Sequence, residues 1–157
     1  MRLLFALIFS VVASAGLSQS MMPRDGWVVI PTTKSYRQLL DDTIAAVKSN
    51  KMGVVTQAGP TGAAKKRGIT IPGNRVIGVF NNVFAVRILG HSTAAMIEAP
   101  IRLYVTENED GTATLSYKMP TVVFAPYQDE ADPDLGVAAG ELDAIFQAIA
   151  KDATGQS

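Results

Sequence analysis

The chain of 157 residues has no cysteine and a single histidine, His91. Without thiols it has no Cys nucleophile, no disulfide and no Cys-ligated zinc or iron–sulfur centre. One histidine excludes a multi-His zinc site within one copy. Excess charge is missing as well. The 14 Lys and Arg balance 14 Asp and Glu, so the broad positive field of a general nucleic-acid binder is absent. No glycine-rich phosphate loop and no Gly-x-Ser-x-Gly elbow occur, which removes two common catalytic signatures. What is present is a globular composition, 48% hydrophobic and 18% charged, unlike that of a disordered chain.

Met1 to Ala15 reads as an address and is set apart from the fold. Arg2 is followed by an apolar run from Leu3 to Val12, broken only by Ser10, and then by the small residues Ala13-Ser14-Ala15. This is the pattern of a secretory signal peptide, with cleavage expected after Ala15. The run is shorter than the ~20 apolar residues that span a bilayer. The expected location is therefore periplasmic or secreted, with no membrane contact after cleavage. Residues 16–25 are expected to be a flexible lead, 26–152 a single domain and 153–157 a tail. A domain of that length buries ~68% of its unfolded surface and does not require disulfides.

Hydrophobic periodicity sets out the elements. The continuous run Trp27-Val28-Val29-Ile30 suggests a strand buried on both faces. Tyr36, Leu39, Leu40, Ile44 and Val47 have helical spacing, with Ser35 and Gln38 at capping-box separation. Asn50 and Gly53 suit the end of that helix. Met52 to Thr56 and Arg75 to Phe80 are further strands, and Gly78 marks a place where something approaches closely. Lys65-Lys66-Arg67 sit on one or two helical turns ending at Gly68, where their charge complements the helix terminus. Asn82 to Leu89 suits a short helix ending at Gly90. Residues 121–134, with Pro126, Pro133 and the acids Asp129, Glu130, Asp132 and Asp134, suggest a solvated loop. The last helix runs from an Asp134 cap to Lys151.

The hairpin over 101–119 allows a register to be derived. Ile101, Leu103 and Val105 alternate with polar residues, as do Ala113, Leu115 and Tyr117. A two-residue Asp110-Gly111 loop would oppose Val105 to Ser116 and mix the faces. A three-residue loop, Glu109-Asp110-Gly111, sets Val105 against Leu115, Leu103 against Tyr117 and Ile101 against Met119, so it is preferred. That register places Arg102 opposite Lys118 and Tyr104 beside Ser116 on the polar face. The elements together predict an α+β domain: a mainly antiparallel β-sheet, two main amphipathic helices packed on it and one or two short helices.

The order "KMGVVTQ", "RVIGVFNN", "EAPIRLYVTENEDGTATLSYKMP" and a closing amphipathic helix resembles the bacterial and archaeal family called domain of unknown function 302. The resemblance covers residues 26–151. It implies a compact α+β domain that tends to form homodimers, and it brings no agreed activity. The family's common Gly-Asn-Pro turn is Phe80-Asn81-Asn82 here, and its Tyr-x-Asp-Pro ending is Tyr117-Lys118-Met119-Pro120. Residues 57–62 supply no ionisable group where family members often have polar or acidic ones.

Candidate ligand-binding residues are Asn81 and Asn82 at a strand end, Tyr117, and Arg102 with Lys118, like charges that either diverge into solvent or face an anion, an acidic partner surface or a nearby carboxylate. Asn81 and Asn82 also suit local turn hydrogen bonds, and Tyr117 suits core packing with a hydrogen-bonded hydroxyl. His91 with Met96, and Met119 nearby, offers a soft pair for copper(I), or a haem axial ligand in His91. A helix-end histidine and core methionines explain the same residues. No cofactor is demanded. The expected function is an exported, non-catalytic module that binds a small ligand or a protein partner as a homodimer. The alternatives are an enzyme acting on a small polar or acidic substrate, and a metal or haem carrier. Neutrality itself is a cancellation: Gly16 to His91 holds 10 basic and 3 acidic residues, Ser92 to Ser157 holds 3 and 11.

Overall fold

The alternating residues of 101–118 form the middle of a five-stranded antiparallel sheet. In a computed structural model, which describes residues 20–129 and 133–156, the strands are β1 (Trp27–Ser35), β2 (Gly53–Ala58), β3 (Asn74–Phe80), β4 (Ile101–Glu107) and β5 (Thr112–Lys118). Their order across the sheet is β1-β5-β4-β3-β2. The hairpin takes the matched-face register: Val105 pairs with Leu115, Leu103 with Tyr117 and Tyr104 with Ser116. Gly111 holds the left-handed conformation, with φ +80, that the three-residue loop requires. The ladder ends at Leu103–Tyr117, two pairs short of Ile101–Met119, and the Met119 amide donates to the Gly26 carbonyl instead.

One face of the sheet is covered. Helix α1 (Tyr36–Ser49) is capped by Ser35, whose hydroxyl accepts from the Gln38 amide. Its stripe of Leu39, Thr43, Ala46 and Val47 is buried. Helix α5, Asp134–Thr154, packs along α1. Together with Ile77, Leu103, Val105, Leu115, Phe146 and Ile149 they form the core. Complete burial of one such side chain stabilises by roughly 1.5–3 kcal/mol. Three shorter helices, α2 (Thr61–Lys66), α3 (Asn82–His91) and α4 (Pro120–Phe124), complete the α+β fold, with 3-10 turns at Ala95–Glu98 and Ala125–Tyr127.

Several boundaries differ from the sequence reading, each for a local reason. Trp27 to Ile30 is half-buried rather than enclosed, since β1 lies at the sheet edge and continues through Pro31, a residue that only edges tolerate well. Residues 120–127 are helical where a loop was expected. Pro120 presets the first turn, and the Asp143 carboxylate accepts from both the amide (3.0 Å) and the hydroxyl (2.7 Å) of Thr121. Helix α3 runs through Gly90 to His91. Pro133 precedes α5, so Asp134 is its first residue and not its cap. That helix also continues past Lys151 to Thr154. Ala153 is fully buried, and the Lys34 ammonium donates to its carbonyl at 2.7 Å. Residues 153 and 154 thus belong to the domain rather than to a tail. The expected signal segment, residues 16–19 of the lead, and the acids Glu130 and Asp132 lie outside the described residues.

The sheet order also decides how the charged halves meet. The acidic-half hairpin β4–β5 is flanked on both sides by strands from the basic half. Arg87 of α3 donates two hydrogen bonds to Glu141 of α5, at 2.6 and 3.1 Å, and those bonds hold the Glu141 carboxyl below its usual range. The halves interleave.

Candidate functional site

The face that α1 and α5 leave uncovered carries the candidate site. Antiparallel pairing sets side chains of opposed residues on the same face. Trp27 of β1 opposes Lys118 of β5, and Arg102 of β4 opposes Gly78 of β3, which in turn opposes Thr56. Arg102 and Lys118 lie one position beyond the last β4–β5 pair, Leu103–Tyr117, so Trp27, Lys118, Arg102, Gly78 and Thr56 share one face of the sheet. The next row is Val29, Ser116, Tyr104 and Val76. The first row has two long cations beside a glycine, and a Cβ on Gly78 would collide with the Thr56 hydroxyl oxygen and come within 2.9 Å of Pro100. This is the close approach that the mid-strand glycine signalled.

These rows floor a cleft of about 610 Å³, lined by Trp27, Val76, Arg102, Tyr104 and Lys118, with Asp25, Glu98 and Val122 at its rim. The volume falls within the ~300–1,000 Å³ range of small-molecule sites. Lys118 Nζ stands 5.6 Å from the Trp27 ring centroid and Arg24 Cζ 5.2 Å from it, so the only tryptophan is held by two cation–π contacts. Glu98 accepts a 2.8 Å hydrogen bond from the Tyr127 hydroxyl. Arg102 and Lys118 form no ion pair with another described residue. Two unpaired cations beside two carboxylates suit a monoanionic or zwitterionic molecule better than a dense polyanion.

The five candidate ligand-binding residues divide. Arg102, Lys118 and Tyr117 all border this cleft, but the Tyr117 ring turns to the opposite face. It is 3% exposed and lies 5.5 Å from the Phe146 ring. Burial, with a smaller contribution from Asp143, pushes its hydroxyl up to about 12. The hydrogen bond expected for that hydroxyl is not formed with any described residue. Asn81 and Asn82 are elsewhere, at the start of α3. Asn81 caps the helix, accepting from the Val83 and Phe84 amides at 2.9 and 3.3 Å and donating to the Lys51 carbonyl at 3.1 Å. The cavity beside it, about 20 Å³, has room for one water and no ligand. Asn82 is the exposed first residue of the helix.

His91 ends α3, while Met96 is half-buried against the core in the following 3-10 turn. Among the described residues no three His, Asp or Glu side chains gather as a metal site. Lys65 and Lys66 occupy the last turn of α2. Sequence reasoning missed Trp27, Asp25 and Glu98 as cleft residues. Trp27 carried a signal, since it is the only tryptophan and stands at a strand start. The rim acids carried none, because they approach through loops.

A family model described as "Domain of unknown function DUF302" matches residues 28–151. The chain belongs to the DUF302 family. It is similar in structure to an uncharacterised conserved DUF302 protein from Bacillus stearothermophilus, with a TM-score of 0.70 and 17% sequence identity over 82% of this chain and 99% of the other. No curated relative matches. At that identity the likeness shows the fold. In this DUF302 chain the Asn kept from the family's Gly-Asn-Pro turn is Asn81, and its observed work is to cap α3 and tie it to the α1–β2 connection. That gives the position a folding role independent of any ligand.

Proposed function

We propose that this DUF302 domain is an exported, non-catalytic module that binds a small carboxylate-bearing molecule in the cleft on the open sheet face and acts as a homodimer. The observation that carries the binding reading is that Arg102 and Lys118, both without an ion-pair partner among the described residues, line one concave cleft. Charge-assisted hydrogen bonds from such groups contribute roughly 1.5–3 kcal/mol each, and the Tyr104 ring and Val76 supply an apolar floor. Export rests on the leading segment and its Ala13-Ser14-Ala15 cleavage pattern.

Native mass spectrometry of the purified mature protein reports retained ligand and oligomeric state together. Calorimetric titration with benzoate then tests the cleft. Arg102→Ala and Lys118→Ala should each weaken binding about tenfold or more, and added salt should weaken it further. Affinity that is insensitive to salt and to both substitutions overturns the assignment. The homodimer is supported by the family resemblance and by α3, where Val83 and Val86 lie on one exposed face, with Val86 72% exposed. A second copy packed there would cover a surface that monomers rarely leave open. Val86→Glu should convert a dimer to a monomer in sedimentation equilibrium. A wild-type protein that sediments as a monomer at every concentration removes the dimer.

A further inference from the structure

The helix-covered face has its own opening, distinct from the cleft. We infer that the groove between β1 and α5 is a second binding site, which takes an uncharged amphipathic molecule bearing a hydroxyl or carbonyl group. Its floor is Val28 and Ile30 of β1 together with Tyr117 and Met119, and its wall is α5 from Asp143 to Lys151. Asp143, Ala144, Gln147, Ala150 and Lys151 follow one face of the helix over about 12 Å of its axis. The groove is open to solvent and has a volume of about 420 Å³, again within the ~300–1,000 Å³ range of small-molecule sites.

Two features point to an occupant. The wall places an exposed alanine at 144, where a Leu or Ile would narrow the groove. The floor holds Tyr117, a side chain 3% exposed whose hydroxyl borders the groove and makes no hydrogen bond to a described residue. A ligand oxygen in the groove can accept a hydrogen bond from that hydroxyl in place of water. The hydroxyl keeps its proton throughout the physiological range, because burial raises its pKa, so it is available as a donor.

The flanking charges select against ions. The Asp143 carboxylate stands at one end, with both oxygens engaged by Thr121, and Lys151 stands at the other end. An anion meets Asp143 and a cation meets Lys151. An uncharged molecule instead places its oxygen at Tyr117 and its apolar body on Val28, Ile30 and Met119.

The test is a titration of the full mature chain with 1-naphthol, followed by calorimetry at low and high salt. Saturable binding of one molecule per chain, unaffected by salt, is the expected result. Ala144→Phe, an exposed position that folding tolerates, should lower affinity at least tenfold by filling the groove. Tyr117→Phe keeps the ring and should lower it about three- to tenfold. Arg102→Ala should leave it unchanged. Absence of saturable binding, or binding insensitive to Ala144→Phe, overturns the second site. Because benzoate reports the cleft through salt and Arg102, and 1-naphthol reports the groove through Ala144 and Tyr117, either site fails without the other.

Discussion

Leu115 and Ser116 are consecutive in β5 and both are completely buried, yet they face opposite sides of the sheet and unlike neighbours. Leu115 points into the apolar core beneath α1 and α5. Ser116 lies between Val29 and Tyr104 on the face those helices leave bare, and its hydroxyl has no hydrogen-bond partner among the described residues. The Thr106 hydroxyl, on the same face of the neighbouring strand, is likewise without one. Burial is thus reached by two routes. On one face it comes from a second layer of structure, and on the other from larger side chains crowding small ones. Only the first route provides the close apolar packing that stabilises a fold, so the second face is freer to carry binding chemistry.

The largest separation between the faces should appear on truncating the covered one. Leu115→Ala removes a fully buried side chain from a packed core, where such changes cost about 2–5 kcal/mol through lost transfer energy and a residual cavity. For a domain of this size each kcal/mol shifts Tm by about 2–8 °C, so calorimetry should show a loss of about 4 °C or more. A loss below 1 kcal/mol would mean that this face is packed no better than the open one.

The open face should respond to the opposite change, added bulk. Gly78→Val sets a side chain against Thr56 and Pro100, and overpacking of this kind typically costs about 1–3 kcal/mol. Thr56→Ala removes the nearest obstacle, so the double variant should recover part of the loss in a denaturant-unfolding cycle. Strict additivity would show that the close approach is not the cause. If Gly78 also makes room beside Arg102, the same substitution should weaken benzoate binding.

How far these contrasts were legible in the sequence depended on the range of the interaction. The 101–118 hairpin could be solved to the residue because alternation fixes faces and Gly111 fixes the turn, both local constraints. The same arithmetic put Arg102 beside Lys118 and Tyr104 beside Ser116. It left open that Trp27 would complete the row, since that depends on β1 closing against β5 from 91 positions away. The helix at Pro120 was hidden for a related reason. Its Thr-Val-Val sequence favours strand, and what overrides that preference is the Asp143 carboxylate on a distant helix. Asn81 was ambiguous by residue type, and only its three hydrogen bonds decide for the cap. The groove had no local signal at all, as small residues on a helix face look alike whether they pack closely or leave a gap.

Alkaline titration distinguishes the faces through their tyrosines. Tyr117, on the covered face, has a folded-state pKa raised from 10 to about 12, so the folded protein favours the protonated form. The stability tied to that preference is fully present below pH 10 and is lost as pH rises to about 12, since the unfolded chain releases the proton first. Stability measured by denaturant should therefore fall over that window. Tyr117→Phe should flatten the fall, and absorbance at 295 nm should lose its last-titrating component. An unchanged profile in Tyr117→Phe would assign the alkaline loss to other groups.

The smallest effect should come from Ser116→Ala, one residue from the largest. A buried hydroxyl with a good partner contributes about 0.5–1.5 kcal/mol, whereas one without a partner contributes nothing and carries a desolvation cost. Removing it leaves a methyl between Val29 and Tyr104, so stability should change by less than about 0.5 kcal/mol or rise slightly. The comparison is sensitive to the state of the protein. If a second copy or a ligand reaches this face and engages the hydroxyl, the substitution becomes costly only when that occupant is bound. Denaturant midpoints of wild type and Ser116→Ala, measured at low and high protein concentration and with and without saturating benzoate, separate the two cases. A loss of 1 kcal/mol or more in the isolated chain would show that the open face is held together by hydrogen bonding after all, and the contrast with Leu115 would fail.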